Sequence, residues 1–196
     1  MSPSSPDNNT PPSRIFLTGY MGAGKTTIGR VLAQRTGWKL YDTDQLIVRG
    51  FGGMPVSKIF STHGEPVFRE AENKVIRELS RRGHVVISTG GGALVREETM
   101  STALATGVVV YLQAPVEVLY ERVVFSPKDR PILEQSDTEQ VFKTRFAERE
   151  HFYHRAHLTV FTPERTPEDV TDEIVRFLEN RYHLSFPQPP EPSTAG

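Results

Sequence analysis

The stretch GYMGAGKTT at positions 19–27 follows directly on the apolar run Ile15-Phe16-Leu17. Gly19, Gly24, Lys25 and Thr26 satisfy the spacing G-x-x-x-x-G-K-[ST]. Glycines remove the Cβ atoms that would keep main-chain N–H groups from converging on phosphate oxygens. A helix opening at the loop adds positive potential at its N-terminus. In such a cradle the backbone of Gly22, Ala23, Gly24 and Thr27 wraps the phosphates of a nucleotide. Lys25 reaches the β and γ phosphates, and the Thr26 hydroxyl ligates Mg²⁺. The plainer reading is a glycine-rich turn with a surface lysine. A strand before the loop and a helical pattern over residues 27–34 favour the cradle.

A strand–loop–helix unit needs a parallel sheet to sit in, and the rest of the chain supplies one. Short β-rich runs at 15–18, 39–41, 84–89, 108–112 and 157–161 alternate with longer segments of helical period. Val67, Ala71, Val75 and Leu79 recur every four residues, predicting one buried helix face. Glu70/Lys74 and Glu78/Arg82 pairs are expected on its wetter sides. Val170, Ile174, Phe177 and Leu178 form a second stripe. Thr166-Pro167-Glu168-Asp169 opens it with a cap, a first-turn proline and two acids that suit the helix dipole. Strands separated by helices pair in parallel through right-handed crossovers. The expected fold is a three-layer α/β domain around about five parallel strands.

A chain of 196 residues suits a single domain, expected over residues 13–184. The ends, 1–12 and 185–196, are polar and proline-rich and carry too little apolar surface to offset the entropy of ordering. Net charge is −1, so neither nucleic acid nor an acidic membrane surface is an expected partner. Cysteine is absent, which excludes thiolate metal sites and suits a reducing compartment. No apolar run approaches the roughly 20 residues that span a bilayer, and the start lacks the order of a signal peptide. A cytoplasmic monomer is expected.

Other absences narrow the class. Asn73-Lys74-Val75-Ile76 fails the guanine-reading N-K-x-D of switch GTPases. The apolar run at 84–89 ends in Ser88-Thr89 and not in the aspartate of a Walker B strand, so the metal's carboxylate must come from elsewhere. What remains is a small kinase. Asp42 and Asp44 fall at the end of the second strand, and side chains at i and i+2 of an extended segment share a face. One could hold Mg²⁺ through water while the other deprotonates an acceptor hydroxyl. Alternatively both cap the following helix. Gly90, Gly91 and Gly92 follow the third strand, at the sheet edge where ligands bind, either as a close main-chain approach or as a plain turn. Arg69, Arg130 and Arg149 are candidates to fork onto carboxylate or phosphate. Equally, Arg69 could pair with Glu65 or Glu72, Arg149 with Glu148 or Glu150, and Arg130 could be solvated. Spacing alone does not bring them together.

At this point the chain resembles the shikimate kinases. GYMGAGKTTIG, YDTDQLI, IFSTHGEPVFREAE, STGGGAL, DRPIL and EREHFY occur in that family's order, covering roughly residues 14–178. The resemblance implies ATP- and Mg²⁺-dependent phosphorylation of the 3-hydroxyl of shikimate, on the way to chorismate and the aromatic amino acids. It implies the nucleoside-monophosphate-kinase type of fold with sheet order 2-3-1-4-5, a substrate-binding region about 44–83 and a lid about 124–136. Carried over, Asp44 holds shikimate hydroxyls and acts as the base, and Arg69 and Arg149 clamp the carboxylate. Gly90, Gly91 and Gly92 lie against the ring. Arg130 is the lid arginine that reaches the ATP phosphates, Asp42 supports Mg²⁺ through water beside Thr26, and Arg165 stands on the adenine side. Thr26 replaces the family's common serine and keeps the hydroxyl.

Gluconate kinases share the loop and fold type, but the GE-x-x-FR and STGGG segments favour shikimate. No D-G-[FY]-P-R segment points to a nucleoside monophosphate, and a catalytically dead relative would be expected to lack one of the charged residues. His151, His154 and His157 do not hold one helix face and read as structural, as does Trp38.

Overall fold

The computed structural model describes residues 11–125 and 138–187. Five strands, β1 (Arg14–Thr18), β2 (Lys39–Asp42), β3 (Val85–Ser88), β4 (Val108–Gln113) and β5 (Leu158–Phe161), form one sheet in the order β2-β3-β1-β4-β5. Every pairing is parallel. The order puts β1 at the centre, and the chain leaves it first to one side and later to the other. A crevice opens at the carboxyl edge where such a sheet reverses direction. The phosphate loop after β1, Asp42 at the end of β2 and the glycines after β3 all emerge along that edge.

Alternation along β1 builds two cores. Ile15 and Leu17 join Ile28 and Leu32 of α1 (Lys25–Thr36) and Val170, Ile174 and Leu178 of α7 (Pro167–Tyr182). Phe16 faces the other way, onto Ile76 and Leu79 of α3 (Val56–Leu79) and Met100 and Ala103 of α4 (Glu97–Thr106). Strands covered on both faces read as unbroken apolar runs, which is why β3 and β4 look as they do in sequence. Each large apolar side chain so buried contributes about 1.5–3 kcal/mol. A third, smaller cluster joins Ile47 of α2 (Thr43–Gly50) to Ile59 and Phe68 of α3. It stands within the stretch expected to bind substrate. α3 breaks at Gly64 (φ 81°, ψ 163°), two residues before Pro66. A proline inside a helix removes an i→i−4 bond, and the glycine takes up the break.

Several expectations need correction. On α3 the buried positions are Ile59, Phe68, Glu72, Ile76 and Leu79, while Val67 is 40 % exposed. Leu79 is buried as expected and Ala71 and Val75 partly so, but Phe68, Glu72 and Ile76 set the buried stripe one residue later, and it includes a charge. Neither expected i, i+4 pair on α3 forms among the described residues; Arg82 instead donates to the Tyr41 hydroxyl at 2.8 Å. The stretch expected as a tail from residue 185 begins with a packed contact. Phe186 meets Trp38 with ring centres 5.9 Å apart, and Arg35 donates to the Pro187 carbonyl at 2.6 Å. The start of α7 is as predicted: Thr166 and Asp169 form a reciprocal capping box with Pro167 between them. Arg130, and the expected lid from residue 126 onward, lie outside the described residues. Among the described residues no helix is long and apolar enough to cross a membrane.

Candidate active site

The phosphate loop closes over β4 and α5 (Val116–Val124). Gly22 has φ 84°, and a Cβ there would stand 2.8 Å from the Leu119 carbonyl oxygen, so only glycine fits. α1 opens immediately after Gly24 with no acid in its first turn, leaving the dipole's positive end unopposed. Lys25 curls back and donates to the carbonyls of Gly19 (2.7 Å) and Tyr20 (2.9 Å). Burial pulls its pKa down to about 8, against Asp44 and Asp42, which raise it.

Asp42 is both the last residue of β2 and the N-cap of α2. Its Oδ1 accepts from the N–H groups of Asp44 and Gln45, and its Oδ2 accepts from the Thr26 hydroxyl at 2.9 Å. The two aspartates therefore do not share a face of an extended strand: Asp44 stands in the first turn of α2. They meet in the same cavity because the strand ends between them. Ser88 lies level with Asp42 in the β2–β3 register, with its hydroxyl 3.3 Å from that of Thr26. The carboxylate that β3 lacks is thus supplied one strand over. No group of three or more His, Cys, Asp or Glu suited to a metal occurs among the described residues. Two hydroxyls and one carboxylate are hard oxygen donors that fit Mg²⁺, a cation that keeps waters and shares itself with phosphates.

Asp44 is pushed up to about 6, by burial first and by Asp42 second, while Lys25 and Arg69 pull the other way. Its carboxylate lies against Gly90, where a Cβ would come 2.4 Å from Oδ1. At Gly92 a Cβ would come 2.5 Å from the Arg69 guanidinium, so a side chain there would push the tip of that arginine aside. Gly91 meets nothing closer than 3.5 Å, so it is not sterically required in the same way. Thr43 is fully buried, and its hydroxyl accepts the Gly90 N–H at 2.8 Å. Tyr153, at the end of α6 (Glu139–Tyr153), donates to the Gly91 carbonyl at 2.6 Å.

Arg69 is held from two sides, by Glu65 at 3.0 Å and by Glu72 at 2.6 Å. Burial opposes its charge, but the two glutamates outweigh it and raise its pKa. Glu72, only 3 % exposed, is itself pushed up by burial. Arg149 lies over the Tyr20 ring; of Glu148 and Glu150, its alternative partners by sequence, neither pairs with it among the described residues, and Glu150 lies 3.5 Å from His154. Arg165 donates to Glu173 and to the carbonyls of Phe161 and Asp169, and it does not line the cavity. Ala23 does not line it either; its methyl group is buried and its N–H goes to Tyr20. His157 accepts the Val109 N–H at 3.0 Å, a structural role.

Lys25, Asp42, Asp44, Arg69, Arg149 and the three glycines line one cavity of about 750 Å³. Thr43, Ser88, Glu72, Tyr153 and Tyr20 were not picked out as site residues in the sequence. Glu72 had a signal in its i+3 spacing from Arg69, and Ser88 in its place where a Walker B acid belongs.

The chain that forms this cavity is similar to known proteins over most of its length. A shikimate kinase from Geobacter metallireducens is 42% identical over 167 residues, 85% of this chain and 92% of its own. The structure of a shikimate kinase from Acinetobacter baumannii in complex with shikimate superposes with a TM-score of 0.80 at 35% identity, covering 86% of this chain and 94% of that one. A gluconokinase from Sinorhizobium meliloti shares the fold at 16% identity and a TM-score of 0.58. The shikimate kinase family profile matches residues 21–179, from within the phosphate loop to the last turns of α7. The chain belongs to the shikimate kinase family.

Proposed function

We propose that this protein transfers the γ-phosphoryl group of ATP to the 3-hydroxyl of shikimate, giving shikimate 3-phosphate for chorismate and aromatic amino-acid biosynthesis. One observation carries the reading: the buried Asp44 carboxylate feels both Lys25 and Arg69 within a single cavity. A base thus shares one cavity with a phosphate cradle and a carboxylate clamp. Arg69 and Arg149 hold the substrate carboxylate, and the main chain of Gly90, Gly91 and Gly92 lies against the ring. Asp44 orients the acceptor hydroxyl and accepts its proton; a pKa about 6 leaves it ionised near neutrality yet basic enough to help.

Lys25 leaves the Gly19 and Tyr20 carbonyls and turns its ammonium to the transferring phosphoryl oxygens. Thr26 and Asp42 would hold Mg²⁺, Asp42 through water; when bound, the ion neutralises phosphate charge. Arg130 is proposed to add charge from the lid and to help exclude water, which would otherwise compete as acceptor. Arg165 fastens the β5–α7 connection. An enzyme that consumes ATP belongs where ATP is supplied, so a cytoplasmic setting is part of the proposal.

The test is the product. Incubation with ATP, Mg²⁺ and shikimate, followed by phosphorus–proton coupling in NMR, is expected to place the new phosphate on the 3-oxygen. Phosphate on another oxygen, or inorganic phosphate alone, would refute the orientation drawn from Asp44 and the two arginines.

A further inference from the structure

Tyr20 belongs to the phosphate loop by sequence, but its ring serves the other half of the cavity. Its carbonyl accepts the Lys25 ammonium at 2.9 Å. Its side chain is fully buried against α6, edge-on to Phe142 and Phe146 with ring centres 4.8 and 5.5 Å away. The Tyr20 hydroxyl donates to the Phe142 carbonyl at 3.3 Å. On the same helix, three residues after Phe146, the Arg149 guanidinium carbon stands 5.6 Å from the centre of the Tyr20 ring. Residues so spaced form one stripe of a helix, so the phosphate loop and Arg149 meet through a single aromatic ring.

The two arginines of the clamp are thus held differently. Arg69 is fixed by two carboxylates, which satisfy part of its charge. Arg149 makes no salt bridge within 4 Å among the described residues; it rests on an aromatic face, hydrogen-bonds the Tyr153 hydroxyl and feels Glu72 at longer range. A π face attracts a guanidinium by its quadrupole without neutralising it. The N–H donors of the guanidinium fork not engaged by Tyr153 stay available for a carboxylate. We propose that Tyr20 is a specificity-determining positioning residue: its ring holds Arg149 against the phosphate loop and thereby sets the preference for an acceptor that carries a carboxylate. This deepens the proposed function and rests on Arg149 being a carboxylate clamp.

The test compares steady-state kinetics on shikimate and on its uncharged methyl ester, in wild type, Tyr20→Phe, Tyr20→Leu and Arg149→Gln. Tyr20→Leu is expected to raise KM for the acid about tenfold, the size of a partly desolvated cation–π contact. KM for the ester, KM for ATP and kcat are expected to stay within about twofold, as befits loss of binding that is uniform along the reaction. Tyr20→Phe keeps the face and should match wild type. A Tyr20→Phe variant bearing a trifluorinated ring keeps the shape but weakens the face. It should show the same selective loss, and it decides the matter should the leucine variant not fold. Acid and ester KM rising together, or a fluorinated ring without effect, would overturn the role of Tyr20. Arg149→Gln separates the two claims. If it erases the preference for the acid while the Tyr20 variants keep it, only Tyr20 is misassigned. If it leaves the preference intact, the clamp reading falls and this inference with it.

Discussion

Lys25 is the residue whose state changes most between the structure and the proposed reaction. Buried and folded back on its own loop, it has a pKa about 8. A phosphate beside it favours the charged form and raises that value. Below about pH 7 the ammonium is charged with or without ligand, so binding moves no proton; above about pH 8 the free protein has lost the proton and must regain it. Calorimetry with ADP, without metal and in buffers of different ionisation enthalpy, is expected to report proton uptake that grows from about pH 7 to about pH 9. Identical uptake by Lys25→Met would remove Lys25 as its source. That variant is also expected to lose at least about 10²–10³-fold in kcat, as when one preorganised donor to transition-state charge is removed. Arg69 makes a different prediction. Lysine keeps the charge but loses the fork shared with Glu65 and Glu72, so Arg69→Lys should raise KM for shikimate about tenfold with a smaller change in kcat. Unaltered KM would mean that Arg69 does not touch the substrate.

At the scale of elements, the site is a junction of three loops on one sheet edge, and its tolerances are small. A Cβ on Gly90 would stand 2.4 Å from the Asp44 carboxylate, so Gly90→Ala must displace either the carboxylate or the turn. Misplacement by about 1 Å can cost about 10²-fold in rate, and that loss is expected in kcat. Gly91→Ala, with nothing inside 3.5 Å, should be milder; equal losses in the two variants would argue against Asp44 as the sensitive neighbour.

The elements themselves were largely legible in sequence, because apolar runs, helical period and capping chemistry are local signals. The strand–loop–helix at Lys25 and the box at Thr166 came through for that reason. The α3 stripe did not. Glu72 is a charge on the buried face, made bearable by Arg69 three residues earlier, and hydrophobic periodicity cannot see such a pair. Thr43, Ser88 and Tyr20 escaped for another reason. Each acts across a register or a packing contact with a partner distant in sequence, and a single sequence does not encode that as spacing. Of the two readings open for the aspartates, the cap holds for Asp42, while the shared face of an extended segment fails because Asp44 already stands in the first turn of α2.

Across the whole molecule, the sheet order brings the cradle, the carboxylates and the arginines to one mouth, while stability is spread over both faces. The last described residues belong to that stability. Phe186 covers Trp38, which in turn meets His84 edge-on, and Leu184 joins the same core. Phe186→Ala should cost about 1–2 kcal/mol, the worth of a half-buried aromatic side chain, and appear as a lower Tm with unchanged kcat and KM. A kinetic effect instead would mean that this contact reaches the site. The central claim concerns what this mouth admits, and it is tested most directly by ADP production from purified protein with ATP and Mg²⁺. Shikimate, gluconate and a panel of nucleoside monophosphates would be compared as acceptors. Turnover on shikimate alone is the expected result. Turnover on gluconate or on a nucleotide, with shikimate inert, would contradict the assignment of Arg69, Arg149 and the three glycines to a shikimate site.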